Sequence, residues 1–284
     1  LTANSYYLET NYEKVMEHLE NMNKNFAIFS DIDGTLVSFK THRIPDSAVE
    51  ALTDAKQRGH HFYISTGRPP QFINNLQQIE HLIDGYLTTN GAYCYIGQEV
   101  VSCQYISKED LEAIVEASNE MNFCLVIAGD RDIVVHNSNR LVYEIYQEGL
   151  NVPMDTYSQD LQLLNDQHIL QISPFITTEE EKKVMPRLKH CMSNRWHPQF
   201  TDITAEGVDK AMGFQTMIKH LVIDPSCTIA LGDGGNDAPL LRAAGIGVAM
   251  GNADEQTQQS ADYVTAHVDD DGFAKALRHF GLAK

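Results

Sequence analysis

Short apolar runs that stop abruptly in polar loops alternate along much of the chain with stretches whose apolar residues recur every three or four positions. The first run, Phe26-Ala27-Ile28-Phe29, breaks into Ser30-Asp31-Ile32-Asp33-Gly34-Thr35 and predicts a buried strand running into a loop. Val49, Leu52 and Ala55 then predict a helix over 45–58, stopped by Gly59. A second strand is expected over 60–64, leading into Ser65-Thr66-Gly67-Arg68. After Pro69-Pro70, the spacing of Phe72, Ile73, Leu76 and Ile79 predicts another amphipathic helix. A third strand at 86–89 ends in Asn90-Gly91. Strand, helix, strand, helix, strand is the order of a Rossmann-like, doubly wound parallel sheet, an α/β fold that binds ligands beyond the carboxyl ends of its strands.

The rhythm changes between Tyr93 and Gln199. Runs at 94–96 and 100–105 flank a turn at Gly97 and read as an antiparallel hairpin. Helices are expected over 107–121, where Ser107 and Asp110 suit the start, and over 177–189; strands are expected over 123–127, 133–136 and 169–175. The α/β pattern returns after Asp202-Ile203-Thr204, with a helix over 209–221, a strand at 228–231, a helix after Gly235, and short strands at 246–250 and 263–264. The expected organisation is therefore a discontinuous core, 26–92 and 200–284, interrupted by an inserted α+β cap, 93–199, on hinges near 90–93 and 197–202. Residues 1–25 form a polar extension with weak helical spacing at Val15, Met16 and Leu19 and no assigned chemistry.

With 284 residues and 43% hydrophobic content the chain has enough material for two modest cores. Its 39 acidic against 21 basic residues, a formal net charge of −18, argue against nucleic acid as a partner. The same charge requires any site for an anionic substrate to carry its own positive field, from a metal, Lys, Arg or a helix N-terminus. The five cysteines have no CxxC spacing and read as reduced, mostly buried small residues. No membrane-length apolar window and no signal-peptide layout is visible, so a cytoplasmic protein is expected, as a monomer or weak oligomer.

Two acidic loops carry the candidate chemistry. Asp31 and Asp33 lie two apart at a strand end, before Gly34-Thr35, where the chain can turn main-chain N–H groups toward an anion. A lone pair of this kind is more simply a solvated turn. The second loop, Gly232-Asp233-Gly234-Gly235-Asn236-Asp237, follows another apolar run and adds two carboxylates at the same sheet edge, although Asn236 or Asp237 also suits a helix cap. Pooled carboxylates with water and a phosphate oxygen are the hard oxygen ligands that Mg²⁺ takes.

DxDGT at 31–35, a hydroxyl residue closing the second strand, a Lys, and GDGGND at 232–237 resemble, in order, the four motifs of the haloacid dehalogenase superfamily of phosphatases. The long insertion between the second motif and the Lys, with ISTGR and NGA, is similar to the Cof-type branch, in which an α/β cap covers the site; the likeness extends from Phe26 onward and is strongest to bacterial sugar-phosphate phosphatases. The resemblance implies that Asp31 is a nucleophile forming an aspartyl-phosphate and Asp33 a general acid and base. It implies Mg²⁺ held by the Asp31 side chain, the Asp33 main-chain carbonyl and Asp233, with phosphate held by Thr66 and Lys210. Gly34, Arg68, Asn90 and Asn236 are further candidates for binding phosphate or substrate, and Asp237 for a place behind the metal ligands. Arg68 is equally suited to pair with a carboxylate, and Asn90 to shape a turn. The histidines lack zinc-helix spacing and read as structural. The implied substrate is a small phosphate monoester, a hexose phosphate first; a phosphotransferase or mutase using the same intermediate, and a catalytically silent sugar-phosphate sensor, are the alternatives.

Overall fold

The computed structural model describes residues 24–284, so the helical spacing at Val15, Met16 and Leu19 lies outside the described residues. In chain order the first elements are Ala27–Ser30 (β1), Asp46–Gln57 (α1), His61–Ser65 (β2), Gly85–Thr88 (β3), Tyr93–Ile96 (β4) and Glu99–Cys103 (β5). Next come Lys108–Met121 (α2), Leu125–Gly129 (β6), Ile133–His136 (β7), Ile169–Pro174 (β8), Thr178–Val184 (α3), Cys191–His197 (β9) and Phe200–Ala205 (β10). The last are Lys210–His220 (α4), Thr228–Gly232 (β11), Ala238–Ala243 (α5), Ile246–Ala249 (β12), Tyr263–Val264 (β13) and Gly272–His279 (α6).

Eight strands form one sheet in the order β13-β12-β11-β1-β2-β3-β4-β5, parallel from β13 to β3 and antiparallel beyond. Alternation along β1 sends Ile28 to one face and Ala27 and Phe29 to the other. On the first face Ile28, Phe62, Ile229 and Val248 pack with Leu52 of α1 and with Phe273 and Leu277 of α6. On the second, Phe29, Tyr63 and Leu87 pack with Phe214 and Met217 of α4 and Leu240 of α5. Each such side chain contributes about 1.5–3 kcal/mol by leaving water. The chain runs outward from β1 to β2 and β3, then returns to β11 on the other side of β1. That reversal opens a crevice beyond the carboxyl ends of β1 and β11.

The second sheet, β7-β6-β8-β10-β9, is antiparallel. One face packs Leu125, Ile127, Ile172 and Ile203 against Ile114 of α2 and Val184 of α3. Its other face carries Val126, Ala128 and Phe200 and is joined by Tyr146, Phe175 and, from the core side of the chain, Phe72.

Three expectations need correction. The change of sheet does not fall at 92/93 and 199/200: β4 and β5 extend the core sheet, and β10 pairs with β8 and β9 of the cap sheet. The helix expected after Pro69-Pro70 is instead a single turn, Pro70–Phe72, with a second turn, Glu80–Leu82, before β3. The Phe72 carbonyl accepts from Arg68 Nη1 at 2.7 Å, and Phe72 packs into the cap while Leu76 and Ile79 pack into the core, so the segment serves two surfaces. The helix expected to reach Lys189 ends at Val184, just before a turn containing Pro186.

Candidate active site

Asp31 follows β1 directly, and its N–H donates to the Leu231 carbonyl at 3.0 Å, which pins it beside β11. Lys210, the first residue of α4, is fully buried, and its Nζ donates to Asp31 Oδ1 and Asp237 Oδ1, each at 2.6 Å. A cation at a helix N-terminus opposes the helix dipole, so these two carboxylates hold it there. Close approach of α4 depends on glycine. Gly91 has φ +92°, and a Cβ on it would stand 2.4 Å from the Asp209 carbonyl; a Cβ on Gly213 would stand 2.8 Å from Gly91 Cα. Burial pulls the Lys210 ammonium toward neutrality, but Asp237 and Asp31 outweigh it and keep its pKa above the ordinary lysine value.

Asp233 stands where β11 ends and reaches back to the first loop. Thr35 Oγ1 donates to its Oδ1 at 3.0 Å, and Asn252 Nδ2 donates to its Oδ2 at 3.0 Å and to the Gly34 carbonyl at 2.8 Å. Gly34 has φ +81°, and a Cβ there would lie 2.2 Å from Asp233 Oδ2, so only glycine leaves room for this carboxylate. The Gly34 N–H donates to Val37 O at 2.8 Å, so in this structure the residue, expected among the phosphate-binding candidates, makes room for Asp233 and turns its N–H into the loop. The Asp237 carboxylate does not cap α5. Its Oδ2 accepts from the N–H groups of Asp233 and Gly234 at 3.1 and 3.0 Å, tying the acidic loop to Lys210.

Burial, with Asp237 adding repulsion, pushes Asp233 up to about 7; burial likewise lifts Asp31 well above the usual carboxylate range, against the pull of Lys210. Oxygen atoms of Asp31, Asp233 and Asp237 lie within 4.8 Å of one another. Crowded carboxylates that resist ionisation, with only oxygen donors, fit a hard divalent cation. Asp237 accepts from the Lys210 ammonium and from two main-chain N–H groups, whereas Asp233 accepts only from the neutral side chains of Thr35 and Asn252 and Asp31 from Lys210 alone, so Asp31 and Asp233 are the less committed side-chain ligands.

Asp33 does not join this cluster. Arg68 grips it in a fork, Nε to Oδ2 at 2.6 Å and Nη2 to Oδ1 at 2.8 Å, and also donates to the carbonyls of Phe72 and of Leu150, at 2.7 and 2.9 Å. Of the two places expected for Arg68, beside substrate or paired with a carboxylate, this structure shows the second, and its 6% exposed side chain is engaged by protein on both sides of the site. Thr66 lines the cavity, its Oγ1 accepting from the Arg68 N–H at 3.1 Å. Asn90, at φ +55°, shapes the turn after β3 and also accepts from Asn236 Nδ2 at 3.0 Å. From Asn90 the contacts continue into the cap, through Nδ2 to Gln171 Oε1 at 3.3 Å.

Asp31, Asp33, Thr66, Arg68 and the 233–237 loop form the core side of a cavity of about 610 Å³, and Tyr146, Leu150, Gln171, Arg195 and Asp202 face them from the cap side. The model of the haloacid dehalogenase-like hydrolases matches residues 28–277. This chain belongs to that family. It is 43% identical to the subclass IIB sugar phosphatase BT4131, whose solved structure superposes with a TM-score of 0.85 over 91% of this chain and 100% of that one. BT1666 from Bacteroides thetaiotaomicron, a phosphatase of the superfamily, is 34% identical with a TM-score of 0.80, over 91% of this chain and 96% of that one. A phosphoglycolate phosphatase from Methanopyrus kandleri is 28% identical, over 88% of this chain and 95% of its own length.

This haloacid dehalogenase-like hydrolase is therefore a phosphoric monoester hydrolase of the capped, subclass IIB kind. No helix among its described residues is long and apolar enough to cross a membrane, and all five cysteines are free. The structure brings the expected residues Asp31, Asp233, Asp237 and Lys210 together in one crevice, and it adds Asn252, which sequence reasoning missed and which braces both acidic loops. Asn252 stands three residues past β12, so a polar residue beyond the next parallel strand was the available signal. Gln171 and Asp202 were also missed; they rise from cap strands with no motif around them.

Proposed function

We propose that this phosphatase hydrolyses small sugar phosphates, hexose phosphates foremost, with Mg²⁺ and an aspartyl-phosphate on Asp31. The observation that carries the reading is the buried Asp31–Lys210 contact of 2.6 Å at the strand reversal, beside Asp233 and on the floor of a cavity roofed by the cap. The 43% identity to a sugar phosphatase supports the substrate class.

Asp31 and Asp233 would hold Mg²⁺ through their carboxylates and Asp33 through its main-chain carbonyl. The bound ion supplies charge neutralisation that lets a carboxylate approach a phosphate dianion. Asp31 attacks phosphorus while the bond from phosphorus to the ester oxygen breaks, and Asp33 gives that oxygen a proton. Water then attacks phosphorus, Asp33 takes its proton, and the bond to Asp31 breaks, releasing inorganic phosphate and restoring the carboxylate. Lys210 orients Asp31 and balances charge on the transferring group, with Thr66 and Asn236 holding its oxygens. Asp237 positions Lys210 and the 233–234 main chain. Delivering a proton requires Asp33 to loosen from Arg68, whose contact with the Leu150 carbonyl ties that event to the cap.

The test is phosphate release from a panel of sugar phosphates with Mg²⁺ or EDTA, comparing the native protein with Asp31→Asn. Turnover that needs Mg²⁺ and falls about 10⁴-fold or more in the variant is expected. Full activity in Asp31→Asn would refute the mechanism, and isomerised sugar phosphate without net phosphate release would turn the reading to a mutase.

A further inference from the structure

The cap-side wall of the cavity has a charge pattern that restricts the leaving group. Asp202, on β10, is 3% exposed and lines the cavity, with Oδ1 accepting from Ser173 Oγ at 2.6 Å. Gln171, two residues before Ser173 on β8, is 4% exposed and lines the same wall; its amide donates to Ser173 Oγ at a long 3.5 Å. Tyr146 completes the group, its phenol buried near Asp202 and Ser173 and held neutral by burial. The wall therefore offers a carboxylate, an amide and a phenol, the groups that bind hydroxyls.

The cations bordering the cavity are directed elsewhere. Arg195 pairs with Glu181 at 2.6 Å through Nε, and its Nη groups donate to the carbonyls of Ile176, His197, Pro198 and Phe200. Arg68 is paired with Asp33 and Lys210 with Asp31 and Asp237. Burial, then the neighbouring Arg195, holds His197 below its ordinary pKa and hence neutral near pH 7. Among the described residues lining this space, each cation thus already answers a carboxylate, and Asp202 faces the place where the leaving group must lie.

We propose that Asp202 and Gln171 form the leaving-group subsite and select phosphate esters whose leaving group is uncharged and rich in hydroxyls. An ester with a second phosphate or a carboxylate on the leaving group brings a like charge against Asp202, while Arg195 stays engaged by Glu181 and four main-chain carbonyls. This inference rests on the sugar-phosphatase reading and narrows it. Like-charge juxtaposition in a site of this burial is strongly selective.

The test compares kcat/KM for fructose monophosphate with fructose bisphosphate, and for glucose phosphate with phosphogluconate. The native protein is expected to favour the neutral leaving group at least about tenfold in each pair. Asp202→Asn should shrink both ratios and Gln171→Glu should enlarge them, with thermal melting confirming that each variant is folded. A native protein that accepts both members of a pair equally overturns the proposal, as do two folded variants that leave the ratios unchanged. Either result leaves hexose-phosphate hydrolysis standing. Phosphate release from p-nitrophenyl phosphate but from no hexose ester would overturn the inference and the sugar-phosphatase reading together.

Discussion

The two walls of the cavity present their side chains by different geometries. On the core wall, four candidate residues leave parallel strands at their carboxyl ends, Asp31 after β1, Thr66 after β2, Asn90 after β3 and Asp233 after β11. Loop glycines and main-chain bonds then fix the carboxylates against each other, as at Gly34 and Asp237. On the cap wall, Gln171, Ser173 and Asp202 rise from within antiparallel strands, on the face set by the pleat. The core wall has little freedom to vary, because its charges balance only as a set. The cap wall can change one residue at a time without disturbing a strand end, which suits it to specificity.

That contrast can be broken at three places. The largest effect is expected at Lys210: Lys210→Met leaves Asp31 and Asp237 buried without their cation, at a cost of about 3–5 kcal/mol. Chemical denaturation should show the loss, and it should shrink when Asp237→Asn is added. A smaller effect is expected for Gly91→Ala, whose methyl group meets the Asp209 carbonyl at the root of α4. About 1–3 kcal/mol of stability should go, with kcat falling in parallel because Lys210 is displaced, measured by melting and turnover on one preparation.

The smallest belongs to the cap. Asp110 is 1% exposed; its carboxylate accepts from the Lys189 N–H at 2.7 Å and from Ser107 Oγ at 2.8 Å. Burial pushes its pKa up, but those bonds outweigh it and the net shift is downward. A depressed folded value means the stabilisation is complete above the unfolded carboxylate range near 4 and is lost as pH falls through the folded value. Asp110→Asn should therefore cost about 1–2 kcal/mol at pH 7 and progressively less below about pH 4, followed by melting across that range. If this cap defect lowered kcat as Gly91→Ala does, the separation of the two walls would be wrong.

How much was legible follows from the same geometry. Contiguous motifs mark the core wall because a strand end and its loop are adjacent in sequence, so DxDGT and GDGGND were readable with the doubly wound order. The cap wall is read only after the strands are paired, since Asp202 meets Ser173, two residues from Gln171, through the β8–β10 register. The helix expected after Pro69-Pro70 failed because spacing records which residues are buried, and here the buried residues answer to two different cores. The boundaries at 92/93 and 199/200 placed the β4–β5 hairpin in the cap and β10 in the core, because changing rhythm says nothing about which sheet a strand joins.

Asp31 and Lys210 are 179 residues apart in sequence, and the whole antiparallel sheet is made between them. A contact of that separation is among the slowest to close in a folding chain. On the ribosome Asp31 emerges long before Lys210, so a growing chain holds the first acidic loop without its ammonium partner. Catalytic competence arrives late in synthesis, and return of phosphatase turnover during refolding is a clock for the last long-range closure of the molecule.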